Sequence, residues 1–329
     1  MKAIRVHEIG GPEKLVYEDV PEPTPGSGEV LIRVAAAGVT HTDTLVREGE
    51  QHGPGEGLKP PFTLGLEVAG TVAGVGEGVS NVREGQRVMA STPNNGYAEM
   101  VVTPAQRVIP VPEGVSLTDA AVLPVHGLAA ALALQSVGRV NEGDSVLITA
   151  AAGGVGTYAV QLSKALGAMV IAATGSEEKG SLARELGADV SVVYRTPAWQ
   201  GEVRKATQGK GVTLVLESVG GEVFEGCLNV LAFMGRVVAI GTASGRPGAV
   251  NMERLIGLNQ SINGFTLGPQ LQRPQAREHI GTFMRLLGQG KVRPIIGQRL
   301  PLSEAAEAHR RLESRASTGT QVLVIDEQA

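Results

Sequence analysis

Residues 146–167, VLITAAAGGVGTYAVQLSKALG, have the composition and spacing to hold a phosphorylated ligand. An apolar run, Val146-Leu147-Ile148, breaks into small residues and a glycine cluster, Ala151-Ala152-Gly153-Gly154-Val155-Gly156. Helical periodicity follows, with Val155, Ala159, Leu162 and Leu166 near i, i+4, i+7 and i+11. A strand that turns through glycines into a helix aims unpaired backbone N–H groups and the positive end of the helix dipole at an anion. Gly153 keeps a side chain away from a pyrophosphate, and Gly156 lets the helix lie close to the sheet. The first glycine of G-x-G-x-x-G is Ala151 here, and the strand-to-helix setting is what makes the motif a dinucleotide site. The end of the next strand then selects the dinucleotide. An acid there would chelate the ribose hydroxyls of NAD and repel a 2′-phosphate. The sequence instead runs from MVIAA, 169–173, into Thr174-Gly175-Ser176, with Lys179 close behind. Glu177 and Glu178 stand at helix-start positions, where acids commonly partner the dipole.

These residues need a parallel sheet behind them. Residues 211–221 and 235–245 read as further strands with glycine turns, 261–267 as a sixth, and helical stretches at 179–186 and 222–232 separate them. The expectation is a six-stranded doubly wound sheet whose ligands lie beyond the strand C-termini. That puts Ser218, Gly241 and Thr242 along the cofactor, their bland role being tight turns. Before this region, residues 1–120 read as short strands (2–6, 29–35, 66–75, 87–90, 97–102 and 107–111) broken by Gly and Pro, a compact β-rich domain. Residues 49–61, GEQHGPGEGLKPP, read as a mobile surface loop. A helix is expected from Ser116 onward, interrupted at Pro124. After 269, helical stretches at 275–287 and 303–312 precede a last strand, 321–325, that returns to the first domain. The chain thus divides into 1–122, 123–267 and 268–329, the first and last forming one discontinuous domain.

Composition limits the partners. The chain has 329 residues, a formal net charge of -4, 42% hydrophobic residues and no basic block, which argues against nucleic acid or anionic membrane as partner. No apolar stretch reads as long enough to span a bilayer, and the opening MKAIRVHEIGG lacks a signal-peptide core, so a cytoplasmic protein is expected. Cys227 is the only cysteine, which excludes an intramolecular disulfide and a multi-cysteine zinc site.

GPEKLVYEDVPEPTPGSGEVLIRVAAAGVTHTDTLVREG, PFTLGLEVAGTVAGVGEGVSNVREGQRV, LITAAAGGVGTYAVQLSKALGA and the closing LESRASTGTQVLVI resemble the medium-chain dehydrogenase/reductase superfamily. Within it the likeness is to the zinc-free quinone oxidoreductase (zeta-crystallin-like) branch. The resemblance implies an α/β fold, a doubly wound Rossmann domain plus a β-rich GroES-like catalytic domain. It also implies NADPH held at its 2′-phosphate by Lys179, Tyr194 and Arg315, with Ser176, Gly153, Gly154, Val155 and Gly156 around the phosphates. Phe265 is placed near the nicotinamide, and the edge of the sheet becomes a homodimer surface.

Zinc-dependent relatives carry a cysteine in GVCHTD and a histidine in GHE; here these positions are Thr40 and Leu66. A hydroxyl and an alkyl group cannot replace thiolate and imidazole, and the spacing of His41, His52, Glu67 and Asp43 fits no ligand set, so no metal is expected. Without a Lewis acid, hydride must go to an acceptor that is already electrophilic, a quinone or an enone. Thr40 and Asp43 are candidates for the floor of the acceptor site, Thr40 as a hydrogen-bond donor or merely a turn cap, Asp43 chiefly structural. Leu45 replaces a family tyrosine suspected of donating a proton. His126, in LPVHGLAA, is a candidate proton source, its bland role being a satisfied structural histidine. Three functions follow: quinone reduction, reduction of activated C=C bonds in enones or enoyl thioesters, and a non-catalytic NADPH- or RNA-binding protein, the last disfavoured by charge.

Overall fold

The strand Ser145–Thr149 pairs in parallel with Met169–Thr174 on one side and Val212–Glu217 on the other. In the computed structural model, which describes residues 1–50 and 57–326, these three strands are the centre of a six-stranded sheet. Its order is Val190–Val193, Met169–Thr174, Ser145–Thr149, Val212–Glu217, Leu231–Ala239, Ser261–Gly264, and every pairing is parallel. Numbered along the chain, the spatial order is 3-2-1-4-5-6, the doubly wound arrangement, and it reverses between Ser145–Thr149 and Val212–Glu217. Helices Gly154–Ala165, Glu177–Glu185, Trp199–Ala206 and Gly221–Val230 cover the faces. Leu147, Ile171, Val215 and Val237 from the strands meet Trp199, Phe224 and Leu228 from the helices in one core.

Two details depart from the periodicity. The fifth strand starts at Leu231, earlier than 235, because the chain turns extended directly after Val230 (Leu231 φ -71°, ψ 135°). The short edge strand Val190–Val193 carries no pattern that singles it out.

The contacts divide the chain into two units, Met1–His126 with Pro294–Ala329, and Gly127–Arg293. The junctions therefore fall at 126/127 and 293/294, later than the expected 122/123 and 267/268. Helix Ala276–Gly288 stays with the second unit; Gln135 on the segment Ala133–Val137 donates to its His279 carbonyl (3.4 Å), and Tyr158 meets Phe283 edge to face at 6.0 Å.

In the first unit, the long strand Glu29–Val39 pairs antiparallel with Glu67–Val75, Met100–Pro104 and Thr320–Val324. The C-terminal strand thus returns to this unit and brings Ile296–Pro301 alongside in parallel. A second small sheet joins Leu15–Asp19, Lys2–Val6 and Phe62–Thr63. The core packs Ile4, Ile32, Leu64, Val68, Tyr97 and Leu323. Residues 51–56 of the loop expected at 49–61, His52 among them, lie outside the described residues.

One expectation needs correcting. The helical run Leu117–Val137 is long and apolar enough to cross a membrane by length and composition, although 78% of its most apolar window is buried inside the protein. It is a core helix, rich in alanine and leucine because it is enclosed.

Candidate active site: a phosphate cradle and a buried acid corner

The strand Ser145–Thr149 ends at Ala150, held at φ 46°, a left-handed conformation that costs an alanine about 1 kcal/mol. This kink turns the chain so that Gly153, extended at φ -86°, caps helix Gly154–Ala165. The first intrahelical bond runs from Thr157 N–H to the Gly153 carbonyl at 2.9 Å. The N–H groups of Gly154, Val155 and Gly156 precede it and leave the helix N-terminus as donors. A Cβ on Gly153 would meet only the Ala150 carbonyl, at 3.2 Å, so the glycine keeps the approach to those donors open. At Gly156 a Cβ would lie 2.3 Å from the Ala150 carbonyl and 2.8 Å from Ala151 Cα, so that position excludes any side chain. The two glycines serve different ends.

At the end of Met169–Thr174, Thr174 is buried and its hydroxyl donates to the Ser176 carbonyl at 2.9 Å. Ser176 caps helix Glu177–Glu185, accepting from Lys179 N–H at 3.4 Å. Lys179 is half-buried; burial and then the Arg195 charge hold its ammonium below the usual lysine range. A Cβ on Gly175 would sit 3.4 Å from the Tyr194 hydroxyl and 3.8 Å from Arg195 Nε. Tyr194 and Arg195 therefore converge on Gly175, Lys179 lies near enough to Arg195 to feel its charge, and the strand itself ends on Thr174 with no carboxylate. Arg195 was legible only as the last letter of VVYR; its proximity to Lys179 depends on a turn the sequence does not announce. Arg315 lies in the other unit, exposed just past helix Ala305–Glu313, at φ 56°.

Across the point where strand order reverses, the Ser218 amide donates to Thr149 Oγ1 at 2.9 Å. The Ser218 carbonyl accepts from Ala243 N–H at 2.9 Å, and Phe265 N–H donates to the Ala239 carbonyl at 2.9 Å. Ser218, Gly241, Thr242 and Phe265 are thereby gathered at the C-terminal ends of three neighbouring strands. Glu217, which the sequence does not single out, lies buried behind them. It accepts from Val219 N–H (2.8 Å) and Gly220 N–H (3.0 Å), and burial raises its carboxyl above the ordinary range.

In the first unit Thr40 and Asp43 form a capping box at the start of helix His41–Arg47. Thr40 Oγ1 donates to Asp43 Oδ2 at 2.8 Å, and the Asp43 amide donates back to Thr40 Oγ1 at 3.1 Å. Asp43 Oδ2 also accepts from Thr40 N–H (2.8 Å) and the Tyr97 hydroxyl (3.2 Å), and Oδ1 from Gly65 N–H (3.1 Å). Burial moves this carboxyl up to about 6. The chain of contacts continues from the Tyr97 hydroxyl to His309 Nε2 (3.3 Å) and from His309 Nδ1 to Arg47 Nη1 (3.0 Å). Arg47 is fully buried, donating also to the Gly10 carbonyl (2.7 Å) and ion-paired with Glu313 (2.7 Å). A guanidinium cannot accept, so Nδ1 is the acceptor and a neutral His309 carries its proton on Nε2. Every donor in the chain then points toward Asp43. Burial, then the Arg47 charge, lowers the imidazole to about 3.

His126 lies in a π-helical turn, Leu123–Gly127, a geometry often found at functional sites. Its Nδ1 is 2.5 Å from Glu67 Oε1, while Glu67 Oε2 accepts from the backbone N–H groups of Val125 (2.8 Å) and His126 (3.3 Å). Glu67 rests against the backbone at Gly38, where a Cβ would come 2.1 Å from Oε1. Burial alone would lower the His126 pKa, but the Glu67 charge and hydrogen bond outweigh it, and the imidazole is raised above its ordinary 6.5. Thr40, Asp43 and His126 thus share one unit, with the hydroxyl of Thr40 committed to Asp43. Among the described residues no group of three or more His, Cys, Asp or Glu is placed to hold a metal ion.

Two family models match: the alcohol dehydrogenase GroES-like domain over residues 26–113 and the zinc-binding dehydrogenase family over 154–282. A quinone oxidoreductase from Pseudomonas aeruginosa is 35% identical, over 98% of this chain and 99% of its own. A 2-haloacrylate reductase from Burkholderia is also 35% identical, over 97% of each chain. A mycobacterial protein solved in complex with NADPH superposes with a TM-score of 0.92 at 36% identity, covering 98% of this chain and 100% of that one.

Proposed function

The chain belongs to the quinone oxidoreductase branch of the medium-chain dehydrogenase/reductase superfamily, and from that premise we propose an NADPH-dependent, zinc-independent reductase that delivers hydride to a quinone. The observation that carries the coenzyme reading is the pair Tyr194 and Arg195 against Gly175, with Lys179 within electrostatic reach of Arg195 and a strand that ends on Thr174 instead of an acid that would repel a 2′-phosphate. The N–H groups of Gly154, Val155 and Gly156 hold the pyrophosphate, with Gly153 clearing the approach and Ser176 fixing the second turn. Ser218, Gly241, Thr242 and Phe265 line the rest of the coenzyme, and Arg315 stands as a 2′-phosphate candidate on the family resemblance alone.

Bound NADPH supplies the hydride. The protein's own task is to orient the acceptor, exclude water and deliver one proton. Hydride addition to a quinone carbon or oxygen leaves a hydroquinone monoanion, and His126 provides the proton that completes the hydroquinone. Thr40 and Asp43 keep the turn before helix His41–Arg47 in place beneath that chemistry. The substitution of Thr40 and Leu66 at positions where zinc relatives carry ligands supports the metal-free reading. The 2-haloacrylate reductase relative favours one second reading, reduction of an activated C=C bond, in which the same proton would quench an enolate. A homodimer is supported by apolar residues left exposed by the edge strand Ser261–Gly264 and its neighbours: Phe233, Met234, Val250, Met252 and Ile256. A cytoplasmic location fits the single unpaired cysteine.

Anaerobic stopped-flow oxidation of NADPH against a quinone panel and an enone panel separates the two acceptor readings. Charge reversal of Lys179 with Arg315 is expected to raise the KM for NADPH about 10- to 100-fold while leaving that for NADH nearly unchanged. Equal loss with both coenzymes would overturn the 2′-phosphate assignment, and one equivalent of tightly bound zinc per chain would overturn the metal-free one.

A further inference from the structure

We infer that Glu67 is the positioning residue of the proton step: it fixes one proton on His126 Nδ1 and so makes Nε2 the atom that gives and regains the transferred proton. A carboxylate accepts only, so the 2.5 Å contact with Glu67 Oε1 requires a hydrogen on Nδ1. In the neutral ring Nε2 is then a lone pair; in the imidazolium it is a donor. Among the described residues Nε2 makes no hydrogen bond, and 9% of the side chain stays exposed, so the proton on this nitrogen has somewhere to go.

The corner is built to keep Glu67 where it is. Its side chain is fully buried, it takes two backbone N–H groups from the π-helical turn that carries His126, and the missing side chain at Gly38 makes room for its carboxylate. Two accepted amide bonds and one imidazole bond give both oxygens of this buried side chain partners. The charged groups acting on the ring are Glu67 beneath it and Asp43 on helix His41–Arg47, both acids that favour the imidazolium. Neither acid competes for Nε2.

Hydride, which bound NADPH would supply, converts the quinone to its two-electron-reduced monoanion; the Nε2–H bond of the imidazolium breaks, an O–H bond forms, and the products are hydroquinone, oxidised coenzyme and neutral His126. Solvent returns the proton to Nε2. This inference rests on the reductase reading, and its test separates the two.

Titration of the protein labelled with ¹⁵N-histidine, with no substrate present, should show His126 losing its Nε2 proton at a higher pH than an ordinary histidine and keeping Nδ1 protonated afterwards. A neutral ring protonated on Nε2 would overturn the assignment. In Glu67→Gln the titration of His126 should move down by at least one pH unit. The descending, high-pH limb of kcat should move with it, lowering kcat at pH 7.5 about tenfold while the KM for NADPH holds. In His126→Gln that limb should vanish. A pH profile of Glu67→Gln that superimposes on wild type would sink the inference while leaving quinone reduction intact. If Glu67→Gln does not fold, Glu67→Asp serves, since a shortened carboxylate should lose the Nδ1 contact in the same spectrum. Absence of turnover with every quinone, beside the expected ring titration, would instead count against the reductase reading alone.

Discussion

The first unit holds two buried histidines in opposite circumstances. His126 leans on an anion, keeps one nitrogen unbonded and has its proton affinity raised. His309 leans on a cation, has both nitrogens bonded and is pushed down to about 3. Burial opposes the charged ring in both places, so the sign of the neighbour decides the outcome. A histidine saturated between Tyr97 and Arg47 is a structural joint, whereas one anchored on a single side retains an atom with which to act.

The comparison is broken most severely at Arg47. Arg47→Met removes the buried cation that binds the Gly10 carbonyl, His309, Glu48 and Glu313. Urea unfolding should show a loss of about 3–5 kcal/mol. In the folded variant the His309 ring should titrate at higher pH than in wild type, becoming more like His126; an unmoved titration would mean burial alone sets it.

A smaller effect comes from His309 itself. Its folded pKa, about 3, lies below the unfolded value of 6.5, so the unfolded chain takes up the proton first and stability falls as pH drops below 6.5. Asp43 works the other way: with a folded value of about 6 against 3.8, it favours the fold as pH falls from 6 toward 4. The two largely offset each other in that window. His309→Gln removes the first contribution, and the wild-type advantage over this variant should shrink by about 2 kcal/mol between pH 6.5 and 5, read from paired urea midpoints. A constant gap would show that His309 does not titrate on unfolding.

The smallest effect sharpens the role of Thr40. As a cap, Thr40→Ala should cost about 1 kcal/mol of stability. A fall in kcat at full saturation, in protein that is still folded, would assign the hydroxyl to the acceptor after all.

The sequence made local features legible and left long-range ones out of view. The glycine turn, the missing acid after Met169–Thr174 and the alternation of strands with helices are all encoded within a few residues. The sheet order follows from them by rule. Glu67 and His126 stand 59 residues apart, and Arg47 and His309 stand 262 apart, so no spacing pattern could join them. Each partner stands in the sequence only as a polar letter with no local cue to the other, Arg47 in VREGE and His309 in EAHRR. The same holds for Arg195, whose place beside Lys179 depends on how one edge strand ends. The late second junction has a similar cause: helix Ala276–Gly288 is amphipathic, and amphipathicity does not say against which unit its apolar face is spent.

Strand Thr320–Val324 lies between Glu29–Val39 and Ile296–Pro301, so Glu29–Val39 waits for a partner made only after the whole Gly127–Arg293 unit has emerged. While the ribosome is still translating, the Gly127–Arg293 segment is already whole and can settle by itself, whereas Glu29–Val39 offers a bare edge to its surroundings. The burden of chaperoning a nascent chain of this kind therefore falls on that waiting strand.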